Sequence, residues 1–158
     1  MPGKVQPIPE GYRSVTPYLI VEGAARAIDF YQRAFGAKEL MRFAAPKGRV
    51  GHAELMIGDS RVMLADESPE MGAYAPKSRE RQPVSLYVYV ADVDATMRRA
   101  IDAGAKMTEA VQDKFYGDRI GAFVDPFGHS WYVSTHVEDV PHEELARRAK
   151  AAMEKADG

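Results

Sequence analysis

Apolar and polar positions alternate along most of the chain with two periods, one typical of strands and one typical of helices. Alternation at every second residue predicts strands at 14–21, 39–45, 51–57, 61–65, 84–90, 106–110, 119–124 and 130–135. Apolar residues at helical spacing predict helices over 24–35, 93–103 and 141–156. Gly36 and Gly104 follow the first two helices, where a left-handed C-terminal cap is expected. Gly58-Asp59 predicts a hairpin turn.

The order of these elements occurs twice. Tyr18–Val21 matches Tyr87–Val90 at an offset of 69 (87 − 18), and the Gly-Ala-Lys triplet at 36 recurs at 104. We therefore predict an α+β protein of two βαβββ modules, about 14–66 and 84–136, forming one cupped mixed sheet in a single domain, 12–138. Asp66–Pro83 is expected to be a linker or mobile loop, and 139–158 a C-terminal helical tail.

Alternation assigns one face of each strand to the helices and the other face to the cup. The apolar sets expected against the helices are Val15, Leu19 and Val21; Ala53, Leu55 and Ile57; and Leu86, Val88 and Val90. The side chains left for the cup are Thr16, Tyr18, Ile20, His52, Glu54, Met56, Met63, Ser85, Tyr87, Tyr89, Tyr132 and Ser134. Tyrosines and methionines with few polar groups are typical of a small-molecule pocket. The same residue types also fill cores and dimer interfaces, and that alternative stays open.

Composition narrows the classes of function. The 158 residues include no Cys, which excludes thiol nucleophiles, zinc fingers, iron–sulfur clusters and disulfide scaffolds. Lys and Arg number 21 against 23 Asp and Glu, which argues against nucleic acid as a partner. No apolar run approaches the ~18 residues of a membrane span, and the first ten residues lack a signal-peptide core. We expect a cytoplasmic protein without a membrane partner.

Two motifs near the end of the second module resemble those of a known family. They are Tyr116-Gly-Asp-Arg119 and Asp125-Pro-Phe-Gly-His-Ser-Trp131. With the doubled βαβββ pattern, the chain resembles the vicinal oxygen chelate superfamily of glyoxalase I, bleomycin-resistance proteins, fosfomycin-resistance enzymes and extradiol dioxygenases, and its PhnB-like branch in particular. The resemblance implies a homodimer and a small-molecule ligand. It does not define a reaction, because this fold hosts lyases, dioxygenases, transferases and binding proteins without catalysis.

The resemblance also implies four positions for a metal, near the middle of the first and last strands of each module. They fall on Thr16, Met63, Ser85 and Tyr132, where glyoxalase-type members carry His, Gln or Glu. Hydroxyls and a thioether are poor ligands for the divalent ions that such members bind. We therefore predict no metal and no other cofactor.

His52 and Glu54 are the candidate catalytic residues, because both point to the same strand face. Three roles are open for them. They form a metal site with His129 or His136, act as a general base and its orienting carboxylate, or make a hydrogen-bonded pair on a wet wall.

The motifs allow both functional and structural roles. Arg119 either anchors a ligand carboxylate or phosphate, or ties a loop together with Asp118. Asp125-Pro-Phe-Gly-His129 is expected to be a turn, and Trp131 a core residue.

The preferred hypothesis is a metal-independent binding protein of bleomycin-resistance type, whose cup holds a planar organic molecule. Its predicted ligand-binding residues are Thr16, Tyr18, Met63, Ser85, Tyr87, Tyr89, Arg119 and Tyr132. The alternatives are a glyoxalase- or dioxygenase-like enzyme with an atypical metal site around His52 and Glu54, and a protein–protein module whose cup is filled by side chains.

Overall fold

A computed structural model describes residues 3–157. Contacts within the chain group it into two compact units, and the division falls between Lys77 and Ser78, inside the predicted linker. The two units are described separately below. Whether their sheets enclose the expected cup stays a prediction.

The first unit forms a four-stranded mixed sheet with one helix. Its elements are β1 (Tyr18–Val21), α1 (Ala24–Phe35), β2 (Lys38–Ala44), β3 (Val50–Ile57) and β4 (Ser60–Asp66), with short 3₁₀ turns at Pro46–Gly48 and Pro69–Met71. The strand order is β1-β4-β3-β2, with β1 parallel to β4 and the other pairs antiparallel. Helix α1 packs on β1, β3 and β4. The predicted core residues Leu19, Val21, Ala53, Leu55 and Ile57 are buried.

The second unit repeats this architecture. Its elements are β5 (Ser85–Tyr89), α2 (Val93–Asp102), β6 (Lys106–Asp113), β7 (Asp118–Val124), β8 (Ser130–His136) and α3 (His142–Asp157). The strand order β5-β8-β7-β6 and the parallel β5–β8 pair match the first sheet. The predicted repeat and the α+β class are confirmed. Helix α2 packs on β6, β7 and β8, and the side chain of Asp92 caps its first turn by accepting from Ala95 N at 3.0 Å.

The predicted linker begins one residue too early. Asp66 was assigned to it but is the last residue of β4. Its Oδ1 accepts from the backbone N–H groups of Gly23 and Ala24 at 2.8 and 2.9 Å, where α1 begins. Its Oδ2 accepts from Val50 N at 2.7 Å. The carboxylate therefore satisfies the free donors at the start of the helix and joins them to β3.

The first predicted strand is four residues too long. Strand β1 begins at Tyr18, so Val15 and Thr16 lie outside the sheet, and Val15 is 84% exposed instead of buried. Pro17 explains the boundary: its carbonyl accepts from Met63 N at 2.9 Å, but it has no N–H to donate. In the second unit, Leu86, Val88 and Val90 are only partly buried, not the full core that alternation predicts.

Strands β7 and β8 each extend one residue beyond the prediction. Asp118 and His136 occupy these added positions and pair with each other across the two strands. The expectation that His136 lies beyond the last strand is therefore wrong.

Asp125 organises the predicted turn between β7 and β8. Its Oδ1 accepts from the backbone N–H groups of Phe127 and His129 at 2.9 and 3.0 Å, and its Oδ2 accepts from the indole N–H of Trp131 at 2.9 Å. Asp125 is 1% exposed and Trp131 is 2% exposed, so the predicted turn and the predicted core position of Trp131 are confirmed.

Candidate functional site

The first candidate site is a chain of side chains on the sheet of the first unit, which we call the Tyr18 cluster (Tyr18, His52 and Glu54). Strand pairing places Met63 beside both Tyr18 and Glu54, so these residues share one face. The Tyr18 hydroxyl lies 3.0 Å from His52 Nδ1, and His52 Nε2 lies 2.9 Å from Glu54 Oε2. The structure therefore brings together four of the sequence-predicted residues.

The partners of His52 define its proton positions. An ionised Glu54 carboxylate only accepts hydrogen bonds, so His52 Nε2 carries the proton between them. In a neutral imidazole Nδ1 is then an acceptor, and the Tyr18 hydroxyl donates to it. The lone pairs of the Tyr18 oxygen are left for other donors, and Tyr18 is 48% exposed.

Glu54 is a buried carboxylate with few donors. It is 5% exposed, and its Oε1 accepts no hydrogen bond from the residues that the structure describes. The Arg61 guanidinium is 3.8 Å from this oxygen, beyond hydrogen-bond distance. The Phe43 ring, 60% exposed, stacks on His52 with ring centroids 6.3 Å apart.

The second candidate site is in the second unit, and we call it the Tyr87 cluster (Tyr87, Tyr89, Asp118, Tyr132 and His136). The hydroxyls of Tyr87 and Tyr89 both donate to Asp118 Oδ2, at 3.0 and 2.9 Å. The Tyr87 ring stacks on Tyr132 with centroids 5.8 Å apart and planes at 26°. Tyr87 and Tyr89 are 45% and 61% exposed. Their rings are therefore accessible.

The partners of His136 require it to be a cation. Its Nδ1 lies 2.7 Å from Asp118 Oδ1 and its Nε2 lies 2.7 Å from Asp139 Oδ1. Two carboxylates require two N–H donors, which only the imidazolium has. The hydrogen bonds to Asp118 and Asp139 accordingly raise the pKa of His136 above 6.5.

The groups around Asp118 shift one another's pKa. Burial acts to raise the pKa of Asp118, but hydrogen bonds from His136, Tyr89 and Tyr87 together lower it below its usual value. Burial, and then the hydrogen bond to Asp118, raise the pKa of Tyr87 to about 12. The hydrogen bond to Asp118 raises the pKa of Tyr89 as well. Both tyrosines are therefore neutral near pH 7, and their hydroxyls remain hydrogen-bond donors to Asp118.

The raised pKa of His136 predicts a pH-dependent stability. Its contribution is fully present below the unfolded pKa of about 6.5 and is lost as the pH rises through the higher folded pKa. We expect the difference in melting temperature between the wild type and His136→Asn to shrink steadily from about pH 6 to pH 9. Thermal melts across that range measure it, with His142→Asn as the matched control. A difference that grows with pH would contradict the charged pair.

The other predicted site residues lie elsewhere. Thr16 precedes β1 and Ser85 is the first residue of β5, so neither is at mid-strand. Arg119 pairs with Asp94 of α2 through two hydrogen bonds of 2.9 and 3.1 Å, and with Asp113 at 3.2 Å. It thus ties helix and strands together. This supports the structural alternative for Arg119, although its predicted partner, Asp118, belongs to the Tyr87 cluster instead.

The metal implied by the family resemblance does not fit the residues present. Met63 and Tyr132 lie on the expected faces, but they bring a thioether and a phenol, and Thr16 and Ser85 bring hydroxyls. At the alternative site, both ring nitrogens of His52 have protein partners. Across residues 3–157, no group of three or more His, Asp or Glu side chains is arranged to hold a metal ion.

A cavity of about 250 Å³ lies elsewhere in the first unit, beside the two 3₁₀ turns. Arg49, Val50, Asp66 and Glu67 are among its lining residues. It contains none of the sequence-predicted site residues, and Asp66 already has three backbone partners there.

Two residues of the Tyr87 cluster, Asp118 and His136, and two neighbours of the Tyr18 cluster, Phe43 and Arg61, were not predicted as parts of these sites. Asp118 and His136 fell at strand ends that were predicted one residue short. Phe43 lies on β2 and Arg61 on β4. Strand alternation around His52 was the signal that could have identified Phe43, which is its cross-strand neighbour.

The doubled βαβββ topology, with two sheets of the same strand order, defines the class of fold to which the chain belongs. The chain belongs to the Glyoxalase/Bleomycin resistance protein/Dioxygenase superfamily, whose family model matches residues 13–133. The resemblance inferred from the two motifs is therefore confirmed at the level of the superfamily.

Individual relatives extend this result. An uncharacterized protein of Mycobacterium bovis is 42% identical over 135 residues, which cover 84% of this chain and 89% of that protein. The crystal structure of TioX from Micromonospora sp. ML1 has a TM-score of 0.61 and 26% identity, covering 82% of this chain and all of the other. The PhnB protein from Bacillus cereus has a TM-score of 0.62 over 78% of this chain and 99% of its own. At 18% identity it shows the fold alone.

No helix within residues 3–157 is both long enough and apolar enough to cross a bilayer.

Proposed function

We propose that this protein binds a small planar organic molecule at the Tyr87 cluster, without a metal. The observation that carries the proposal is that the hydroxyls of Tyr87 and Tyr89 both donate their hydrogen bonds to Asp118. Each hydroxyl oxygen then has lone pairs that accept a hydrogen bond from a ligand donor. The ligand chemistry that matches is an aromatic ring with O–H or N–H donors at its edge.

Stacking supplies the second part of the recognition. The rings of Tyr87 and Tyr89 are 5.3 Å apart, and the Arg81 guanidinium lies 5.5 Å from the centroid of the Tyr132 ring. Exposed aromatic rings offer a planar ligand a large contact area with little loss of side-chain freedom. The absence of a suitable donor set at the family's metal positions supports binding by rings and hydroxyls rather than by coordination.

The experiment is a thermal-shift screen of planar aromatic compounds in matched pairs. Each pair contains an O–H or N–H compound and its methylated counterpart, which has the same ring but no donor. At a hundredfold excess over Kd, a donor compound is expected to stabilise the fold by about 2.7 kcal/mol, a rise in melting temperature of roughly 5–10 °C. The methylated counterpart should give a much smaller rise.

Variants locate the binding site. Tyr87→Phe and Tyr89→Phe should reduce the difference within each pair, because each removes one acceptor but keeps the ring. Tyr74→Phe is the control, since Tyr74 is 62% exposed and lies outside the strands. Equal shifts for both members of every pair, or stoichiometric metal retained by protein purified without chelator, would contradict the proposal.

The homodimer implied by the family resemblance is part of the same proposal. Strand β2 is exposed at every residue, and its apolar side chains Leu40 and Met41 support association with a second copy.

A further inference from the structure

We infer that the Tyr18 cluster is a proton-accepting site that binds a planar, weakly acidic O–H compound and takes its proton. This goes beyond the proposed function, because it concerns other residues, in the first unit, and a change of ionisation instead of binding alone. It depends on the order of protons along Tyr18, His52 and Glu54 and on the unmet hydrogen-bonding capacity of Glu54.

The cluster can accept a proton without moving a heavy atom. The ligand O–H donates to the outward lone pair of Tyr18, whose own proton lies on the hydrogen bond to His52 Nδ1. When the ligand proton passes to the Tyr18 oxygen, the Tyr18 proton passes to His52. The products are a ligand anion, a neutral Tyr18 and an imidazolium at His52. One proton leaves the ligand, one is gained by His52, and the total charge is unchanged.

All three hydrogen bonds are kept after this transfer. The bonds between the ligand and Tyr18 and between Tyr18 and His52 reverse their direction, and the bond from His52 to Glu54 does not. Before it, the ligand donates to Tyr18 and Tyr18 donates to His52. After it, His52 Nδ1 donates to Tyr18 and Tyr18 donates to the ligand anion, while His52 Nε2 continues to donate to Glu54. The anion therefore keeps a direct donor at the site.

Glu54 supplies the driving force. Its carboxylate is buried, and one of its oxygens accepts no hydrogen bond from the described residues, although the Arg61 guanidinium forms an ion pair with that oxygen at 3.8 Å. A buried charge short of donors is stabilised by a cation placed next to it. The second unit shows the satisfied arrangement, because buried Asp118 has an imidazolium, His136, and two hydroxyls as donors. Proton uptake at His52 would give Glu54 the imidazolium partner that Asp118 already has.

The surroundings favour an aromatic hydroxyl. Phe43 stacks on His52, and the exposed rings of Phe43 and Tyr18 offer apolar contact beside the accepting oxygen. A phenol made more acidic by an electron-withdrawing substituent combines a planar ring with an O–H whose pKa approaches that of imidazole.

The test uses 4-nitrophenol, whose phenol and phenolate forms absorb at different wavelengths. Titration of the wild-type protein with this probe at fixed pH, below the probe's own pKa, measures the ionised fraction of the bound molecule. We expect the acid dissociation constant of bound 4-nitrophenol to be about tenfold or more above that of the free compound. The non-ionisable 4-nitroanisole, measured by thermal shift, reports binding to the ring contacts alone.

Three variants show which residues are needed for the increased ionisation of the bound probe. Glu54→Gln should keep binding but lose the ionisation, because the neutral amide does not stabilise an imidazolium. Tyr18→Phe and His52→Gln should lose it as well. Glu39→Gln, on β2 of the same sheet, is the matched control and should behave as wild type; circular dichroism verifies that each variant is folded.

Each other outcome overturns the inference. These are a bound probe with the ionisation of the free compound, no binding of the probe to the wild type, and an enhanced ionisation that survives Glu54→Gln in a folded protein. Failure here is distinct from failure of the proposed function, which the methylated pairs and the Tyr87 and Tyr89 variants test at other residues.

Discussion

Asp118→Asn is expected to destabilise the protein by about 3 kcal/mol and to abolish the hydrogen-bonding part of ligand recognition at the Tyr87 cluster. Asp118 is 4% exposed and accepts from Tyr87, Tyr89 and His136. An asparagine presents one acceptor and one donor group, so at least one of these donors faces another donor. The Tyr87 and Tyr89 hydroxyls then lose their fixed direction, and the imidazolium loses its buried counter-charge.

Thermal melts and urea titrations measure the loss of stability, which corresponds to a fall in melting temperature of roughly 6–12 °C. Asp102→Asn, at the exposed end of α2, is the matched control and should stay within about 0.5 kcal/mol of wild type. The pKa of Asp118 is lowered from 3.8 by folding, so its contribution is present above that pH and is lost as the pH falls through the folded value. A variant as stable as the control at pH 7 would show that the cluster is not held by Asp118.

The architecture could be predicted from the sequence because it is encoded locally and twice. Strand alternation, the glycine after α1 and the hairpin turn at Gly58-Asp59 each depend on a few neighbouring residues. Gly36 adopts the left-handed conformation expected of it, with φ of 67°. The repeat then identifies corresponding strands, since Tyr18 pairs with Met63 as Tyr87 pairs with Tyr132.

The Tyr87 cluster could be predicted only in part. Alternation placed Tyr87, Tyr89 and Tyr132 on one face, but it does not define where a strand ends. Asp118 and His136 lie opposite each other at the last pair of β7 and β8. From sequence pattern alone, polar residues at the end of a strand are assigned to the adjoining loop. The carboxylate that orders the tyrosines was therefore considered only as a loop tie.

The Tyr18 cluster shows a different limit. The sequence places His52 and Glu54 on one face, and the structure confirms their contact. The hydrogen bond between Tyr18 and His52 cannot be predicted from local sequence pattern. It depends on the parallel register of β1 with β4, which is set by packing between residues far apart in the sequence. The structure shows a hydrogen-bond partner at each ring nitrogen of His52, which the sequence alone does not predict.

The second large effect is expected at Asp125, which is the acceptor for two buried donors and one partly buried donor in the turn between β7 and β8. Asp125→Ala leaves two backbone N–H groups and the Trp131 indole N–H without this partner. Each unsatisfied buried group costs about 1–3 kcal/mol, so we expect a loss of about 4 kcal/mol in the free energy of unfolding. Urea titration followed by the fluorescence of Trp131, the one tryptophan of the chain, measures it.

A double-mutant cycle separates the indole contact from the turn. In the Trp131→Phe background the indole donor is already gone, so Asp125→Asn should cost less than in the wild type, with a coupling energy of about 1 kcal/mol or more. Circular dichroism follows the urea titrations of the cycle, because this background has no tryptophan. Asp59→Asn, in the exposed hairpin turn between β3 and β4, is the control. Additive effects of the two substitutions would mean that the turn depends on Asp125 through its backbone donors alone. In that case the Trp131 side chain is held by apolar packing, including its stacking on Phe123 at 6.4 Å, and the motif's aspartate and tryptophan contribute to stability independently.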